Sequence, residues 1–207
     1  MKCKELPAGY VFHQKIDLKN NKKQYWLVQG LCFGTFVLFA AIGVVITLFG
    51  NLALSGYEGL MWFLPLFVWS VGYLAYIVLH ELTHGVFIYA FSKMKLRIGF
   101  SFSYAYCASD AYFNKKEYII IALAPVVVWG IVFAALNAVF RTMAWFWVIW
   151  MLQAGNIGGA AGDFFCTYQV THCPKDVLVF DGGTDMTIYR RATDEELQSA
   201  TQEEEAV

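Results

Sequence analysis

The chain has 207 residues, of which 58% are hydrophobic, 18% aromatic and only 15% charged, with a mean hydropathy of +0.50. That length fits one domain, and the composition excludes an ordinary soluble protein in favour of an integral membrane protein. The net charge of −1 says little, because the charges are segregated along the chain; nucleic acid is not an expected partner.

From the amino end, residues 1–24 are polar, with six lysines against two acids, and lack the apolar core and small-residue cleavage site of a secretory signal, so no cleavage is expected. Within them, 10–18 reads as a short extended segment and Asn20-Asn21-Lys22-Lys23 as a turn and charged stop. A first span is expected over 26–49, free of ionisable side chains and long enough to cross ~30 Å of hydrocarbon, with Gly30 and Gly34 at a close-packing spacing. A loop at 51–58 without Lys or Arg leads to a second span over 60–91, where Pro65 marks a kink or the first turn.

Residues 92–117 are polar and carry Lys93, Lys95, Arg97, Lys115 and Lys116. Inside this stretch, 96–104 alternates apolar with small or polar residues, the period of a strand. The third span, 118–140, contains Pro125, tolerable if a neighbour satisfies the carbonyl that it frees. A fourth span, 143–168, is rich in tryptophan at its start and in glycine towards its end. Residues 176–180 read as a strand, Gly182-Gly183 as a turn, and 194–207 as an acidic, disordered end.

The expected fold is thus an all-α integral membrane protein. About four transmembrane helices occupy a domain at 25–170, with a small cytoplasmic strand or hairpin between helices 2 and 3 and cytoplasmic segments at 1–24 and 171–207. The basic residues of 1–24 and 92–117, against none in the 51–58 loop, place both termini in the cytoplasm of a multi-pass cell-membrane protein. Cys3, Cys32, Cys107, Cys166 and Cys173 lack the density and pairing of a disulfide framework and read as free thiols. His172-Cys173 reads as an ordinary juxtamembrane loop.

The chemistry concentrates at His80-Glu81-Leu82-Thr83-His84. On a helix the two histidines, at i and i+4, share a face where both imidazoles reach one metal ion, with the Glu81 carboxylate beside them for a bound water. Ionisable groups inside spans are rare and costly, and the four expected spans hold only His80, Glu81, His84 and Asp163. That set supplies three metal ligands, His80, His84 and Asp163, and a general base, Glu81, with none left over. Asp163 also falls at a depth similar to that of His84. Asn156, seven residues before Asp163, shares its helix face and could hydrogen-bond a substrate backbone or the ligand shell. The Gly155/Gly159 and Gly158/Gly162 spacings would bring helix 2 close, and a stretch so dense in glycine could be locally unwound.

At these residues the chain resembles the small prokaryotic zincin peptidases. The resemblance is carried by His80 to Gly85, by Lys115 to Pro125, by Asn156 to Asp163, and by Leu6 to Tyr10 with Ile16-Asp17-Leu18. More distantly the layout is similar to the site-2 intramembrane metalloproteases, although here glycines replace the prolines of their Asn-Pro-x-Pro stretch and Phe164 follows Asp163. The broader resemblance implies Zn2+ on His80, His84 and Asp163, Glu81 as base, and a membrane protein or peptide substrate unwound and cut within the bilayer. Strand 96–104 would hold the extended substrate by edge pairing. Two other readings use the same residues: a metal-dependent hydrolase of a lipid-like substrate, and a non-catalytic membrane partner with a structural metal.

Overall fold

In the computed structural model, residues 5–18, 20–49, 63–101, 104–141, 145–183 and 185–198 are described. The expected loop at 51–58 and the residues beyond 198 lie outside them. Strand β1 (Tyr10–Ile16) leads to helix α1 (Lys22–Phe49), where the Asn21 side chain accepts the Gln24 N–H at 3.2 Å as a cap. Helix α2 (Phe63–Ser92) carries Pro65 in its first described turn, where a missing N–H costs nothing. It stops at Lys93, whose φ of 56° breaks the helical repeat.

A hairpin of β2 (Leu96–Ser101) and β3 (Tyr104–Ser109) follows, then β4 (Tyr112–Asn114), which runs directly into α3 (Lys115–Val139). That junction is sharp because Asn114 and Glu117 form a reciprocal capping box. Helices α4 (Trp145–Gly159) and α5 (Ala161–His172) and strands β5 (Val177–Asp181) and β6 (Met186–Arg191) complete the order. A four-stranded antiparallel sheet runs β1-β6-β5-β4, joining the two ends of the chain, with Tyr10 opposite Arg191. Beyond it, residues 194–198 form a helical turn.

Two expectations fall here. The protein is not all-α, because its described residues form six strands in two antiparallel sheets. Nor do the described residues form four long spans: among them three helices, Lys22–Phe49, Phe63–Ser92 and Lys115–Val139, are long and apolar enough to cross a membrane. The 143–168 stretch splits at Ala160, whose ψ of 13° and lack of a side-chain cap separate α4 from α5. At 15 residues, α4 is only about 22 Å long, short of a ~30 Å hydrocarbon layer. Apolar composition was continuous there; the backbone is not.

The packing divides in two. Val177, Val179, Met186 and Ile188 on one face of the sheet bury against Ile88, Tyr118, Ile121 and Val170 of α2, α3 and α5. Between the helices, Tyr76, Phe133 and Ile149 form a second cluster. Gly155 lets α4 approach α2 so closely that a Cβ there would strike the Tyr73 ring, and a Cβ at Gly158 would lie tightly against Cys32 O and the Phe36 ring of α1, at 3.2 and 3.3 Å. The outer faces remain apolar and open, with Phe33 of α1 72% and Ile131 of α3 68% exposed.

Candidate metal centre

Helix α2 presents His80 and His84 one turn apart, their ring centroids 4.9 Å from each other. With Glu81 they each offer a ligand atom within 4.8 Å of the others. The break at Ala160 starts α5 afresh, so Asp163 stands in a first turn, where a carboxylate is favoured by the helix dipole. Its Oδ2 lies 3.2 Å from His80 Nε2 and its Oδ1 3.6 Å from His84 Nε2. Residues 79 or more apart in sequence thus meet through the two Nε2 atoms and one carboxylate.

The far side of each imidazole is tied to a backbone carbonyl of α3. His84 Nδ1 donates to Ile121 O at 2.9 Å. That carbonyl is available because its helical partner would be the N–H of residue 125, and Pro125 has none. The freed acceptor is filled by a ligand-type histidine. His80 Nδ1 meets Tyr76 Oη at 2.9 Å, Tyr76 Oη meets Asn156 Oδ1 at 2.7 Å, and Asn156 Nδ2 meets Val126 O at 3.1 Å. The direction of this chain follows from its end. Val126 O can only accept, so the amide NH2 faces it and Asn156 Oδ1 faces Tyr76; Tyr76 must donate to that oxygen and therefore accept from His80 Nδ1–H. Both histidines are held with Nδ1 protonated and with the Nε2 lone pair turned towards Asp163, the tautomer that a metal requires.

The strands build the opposite wall of a cavity of about 590 Å³. The backbone N–H of Cys107 on β3 faces the Glu81 carboxylate. Its Sγ would lie only 3.0 Å from a Cβ at Gly85, so the hairpin sits tightly on α2. Burial, with the nearby Glu81 and Asp181 charges, pushes the Cys107 thiol up to about 11, which keeps it neutral. At the end of β5, Asp181 faces the cavity and its Oδ1 accepts the Gly183 N–H at 2.8 Å. Burial raises its carboxyl above the usual range, and that hydrogen bond opposes the rise. Gly183, at φ +85°, is packed against the Tyr106 ring, which closes the hairpin onto the β5–β6 turn.

Of the residues singled out by sequence, His80, Glu81, His84 and Asp163 all line this cavity. Asn156 does not; it is 0% exposed and lies behind His80, between Tyr76 and Val126. Sequence reasoning missed Tyr76, Asp181 and the link between Pro125 and His84. A signal existed for the first, since Tyr76 stands at i−4 from His80 on the same helix face.

Residues 73–178 match the model of a family described as "Putative zincin peptidase". No curated protein and no solved structure matches the chain. The matched segment begins before Tyr76 and ends beyond Asp163, so the groups hydrogen-bonded to the two imidazoles lie inside it, and Asp181 lies just beyond it.

Proposed function

The chain belongs to the zincin peptidase family, and from that membership and its metal centre we propose that it is a membrane zinc metallopeptidase acting on membrane or membrane-proximal peptide segments. His80, His84 and Asp163 hold the metal and Glu81 is the general base. The observation that carries this reading is the convergence of both Nε2 atoms on the Asp163 carboxylate, at 3.2 and 3.6 Å, with both Nδ1 atoms occupied elsewhere. Two neutral imidazoles and a carboxylate are a donor set suited to zinc, the cofactor of this family.

Zinc, when bound, supplies a Lewis acid that activates water and polarises a carbonyl. Glu81 takes the proton of the attacking water and delivers it to the leaving amine, and the Cys107 N–H facing it holds the carboxylate in place. Tyr76 and Asn156 position His80, while the carbonyl freed by Pro125 positions His84. Strand β3 pairs with β2 along one edge and carries Tyr106 and Cys107 into the cavity, where an extended peptide would lie against the hairpin.

The arrangement of the sheet supports a multi-pass course. Strands β1, β4, β5 and β6 belong to one sheet, so the start of α1, the start of α3 and the end of α5 lie on the same side. The basic residues near those points favour the cytoplasm.

The test is zinc content per chain on detergent-purified protein, beside hydrolysis of an internally quenched peptide. About one zinc per chain is expected, lost in His80→Ala and weakened in Asp163→Asn, while Glu81→Gln retains zinc and loses hydrolysis. A folded wild type that takes up no zinc would overturn the proposal.

A further inference from the structure

Among the described residues, four carboxylates line the cavity, those of Glu81, Asp163, Asp181 and Asp185, and no lysine or arginine does. Three of the four have work or a partner. Asp163 faces both imidazoles, Glu81 stands beside them as base, and Asp185 pairs with Lys15 at 2.7 Å. A divalent metal is balanced in charge by Asp163 and Glu81. Asp181 is then left over, a carboxylate fixed on one oxygen by the Gly183 N–H and without a cationic partner among the described residues. A half-buried carboxylate in such a place is stabilised by whatever positive group enters beside it. The Tyr106 ring, packed on Gly183 in the same wall, adds an aromatic surface suited to the stem and head of a cationic side chain.

We infer that Asp181 is a specificity residue that selects peptides with a lysine or arginine side chain close to the bond that is cut. The inference rests on the peptidase reading of the same cavity. It gives the sheet a role in recognition: the helices hold the reacting groups, and the end of β5 reads the substrate's charge. A neutral side chain of the same length would leave Asp181 unpaired, which is the condition under which a polar site discriminates most strongly.

The test uses full-length, zinc-loaded protein in detergent and fluorescent alanine-leucine peptides with one lysine, or acetyl-lysine at the same position, each with a free or an acetylated amino terminus. Binding is read by anisotropy and cleavage by loss of quenching. The wild type should bind and cleave the lysine peptide at least about tenfold better than its acetyl-lysine twin, whichever amino terminus it carries. In Asp181→Asn, which keeps an acceptor for Gly183 N–H, that ratio should collapse towards equality, and Asp181→Glu should restore much of it. Equal treatment of both peptides by the wild type overturns the inference without any variant. So does a preference that Asp181→Asn leaves intact, or one that follows the free amino terminus instead of the side chain. Lysine-selective binding that depends on Asp181, without hydrolysis of any peptide, would support the cation site and sink the peptidase reading.

Discussion

The two walls of the cavity hold their polar groups by different means. On the helical wall, His80 and His84 are each anchored from behind, one through Tyr76 and Asn156 to Val126 O and the other directly to Ile121 O. On the strand wall, Asp181 accepts a local hydrogen bond from the Gly183 N–H, and the Tyr106 ring packs against two glycines. The first wall fixes tautomer and direction for atoms that could hold a metal; the second offers a surface. Changes to the helical wall should therefore register as metal affinity, and changes to the strand wall as substrate affinity.

The largest effect separates these walls most plainly. His84→Ala should abolish zinc binding and lower peptide hydrolysis at least about a thousandfold, measured as metal content and kcat/KM on the same preparation. Tyr76→Phe comes next. It removes the hydroxyl that joins His80 to Asn156, leaves two buried polar atoms unpaired, and should weaken zinc about 10- to 100-fold in a chelator competition. Pro125→Ala should weaken zinc about tenfold by restoring an N–H that competes for Ile121 O, yet raise thermal stability by repairing the helix. Opposite signs in those two measurements would be difficult to obtain from general damage; zinc affinity unchanged in Pro125→Ala would break the contrast.

On the strand wall, Gly183→Ala places a Cβ into the Tyr106 ring at a positive φ. It should raise KM several-fold and leave zinc stoichiometry at the wild-type value, as read by the same metal assay. The smallest effect lies outside the cavity, at the exposed Arg190–Glu196 pair. Arg190 holds the Glu196 carboxyl down at about 2. Because that value is depressed, the pair's contribution is present above the ordinary value of 4.5 and is lost as pH falls from there towards about 2. Its solvent exposure makes it weak, so Glu196→Gln should leave the thermal midpoint at pH 7 almost unmoved.

The candidate metal centre was legible because its signal is chemical. A charged or imidazole side chain within an apolar run is conspicuous, and residues 80, 81, 84 and 163 could be found without knowing how α4 and α5 are joined. The sheet was hidden for the opposite reason. Strand β4 has three residues, β6 was read as tail, and the pairing of β1 with β6 joins segments from opposite ends of the chain, which no local window detects. The split at Ala160 falls in the glycine-dense stretch that the sequence marks as open to unwinding, but hydropathy, which measures composition and not backbone angle, keeps 143–168 as one span. Pro125 could be read as freeing a carbonyl, but only the packed structure shows that His84 takes it.

The pairing of Tyr10 with Arg191 has a consequence for how the protein matures. The helices and the hairpin leave the ribosome before β5 and β6, so both histidines and Asp163 are synthesised ahead of Asp181, Gly183 and the strand that closes β1 into a sheet. Contacts between chain ends form slowly because a long loop must close first. During synthesis the imidazoles could meet a metal while one wall of the cavity is still absent, and the finished cavity dates only from the last strand.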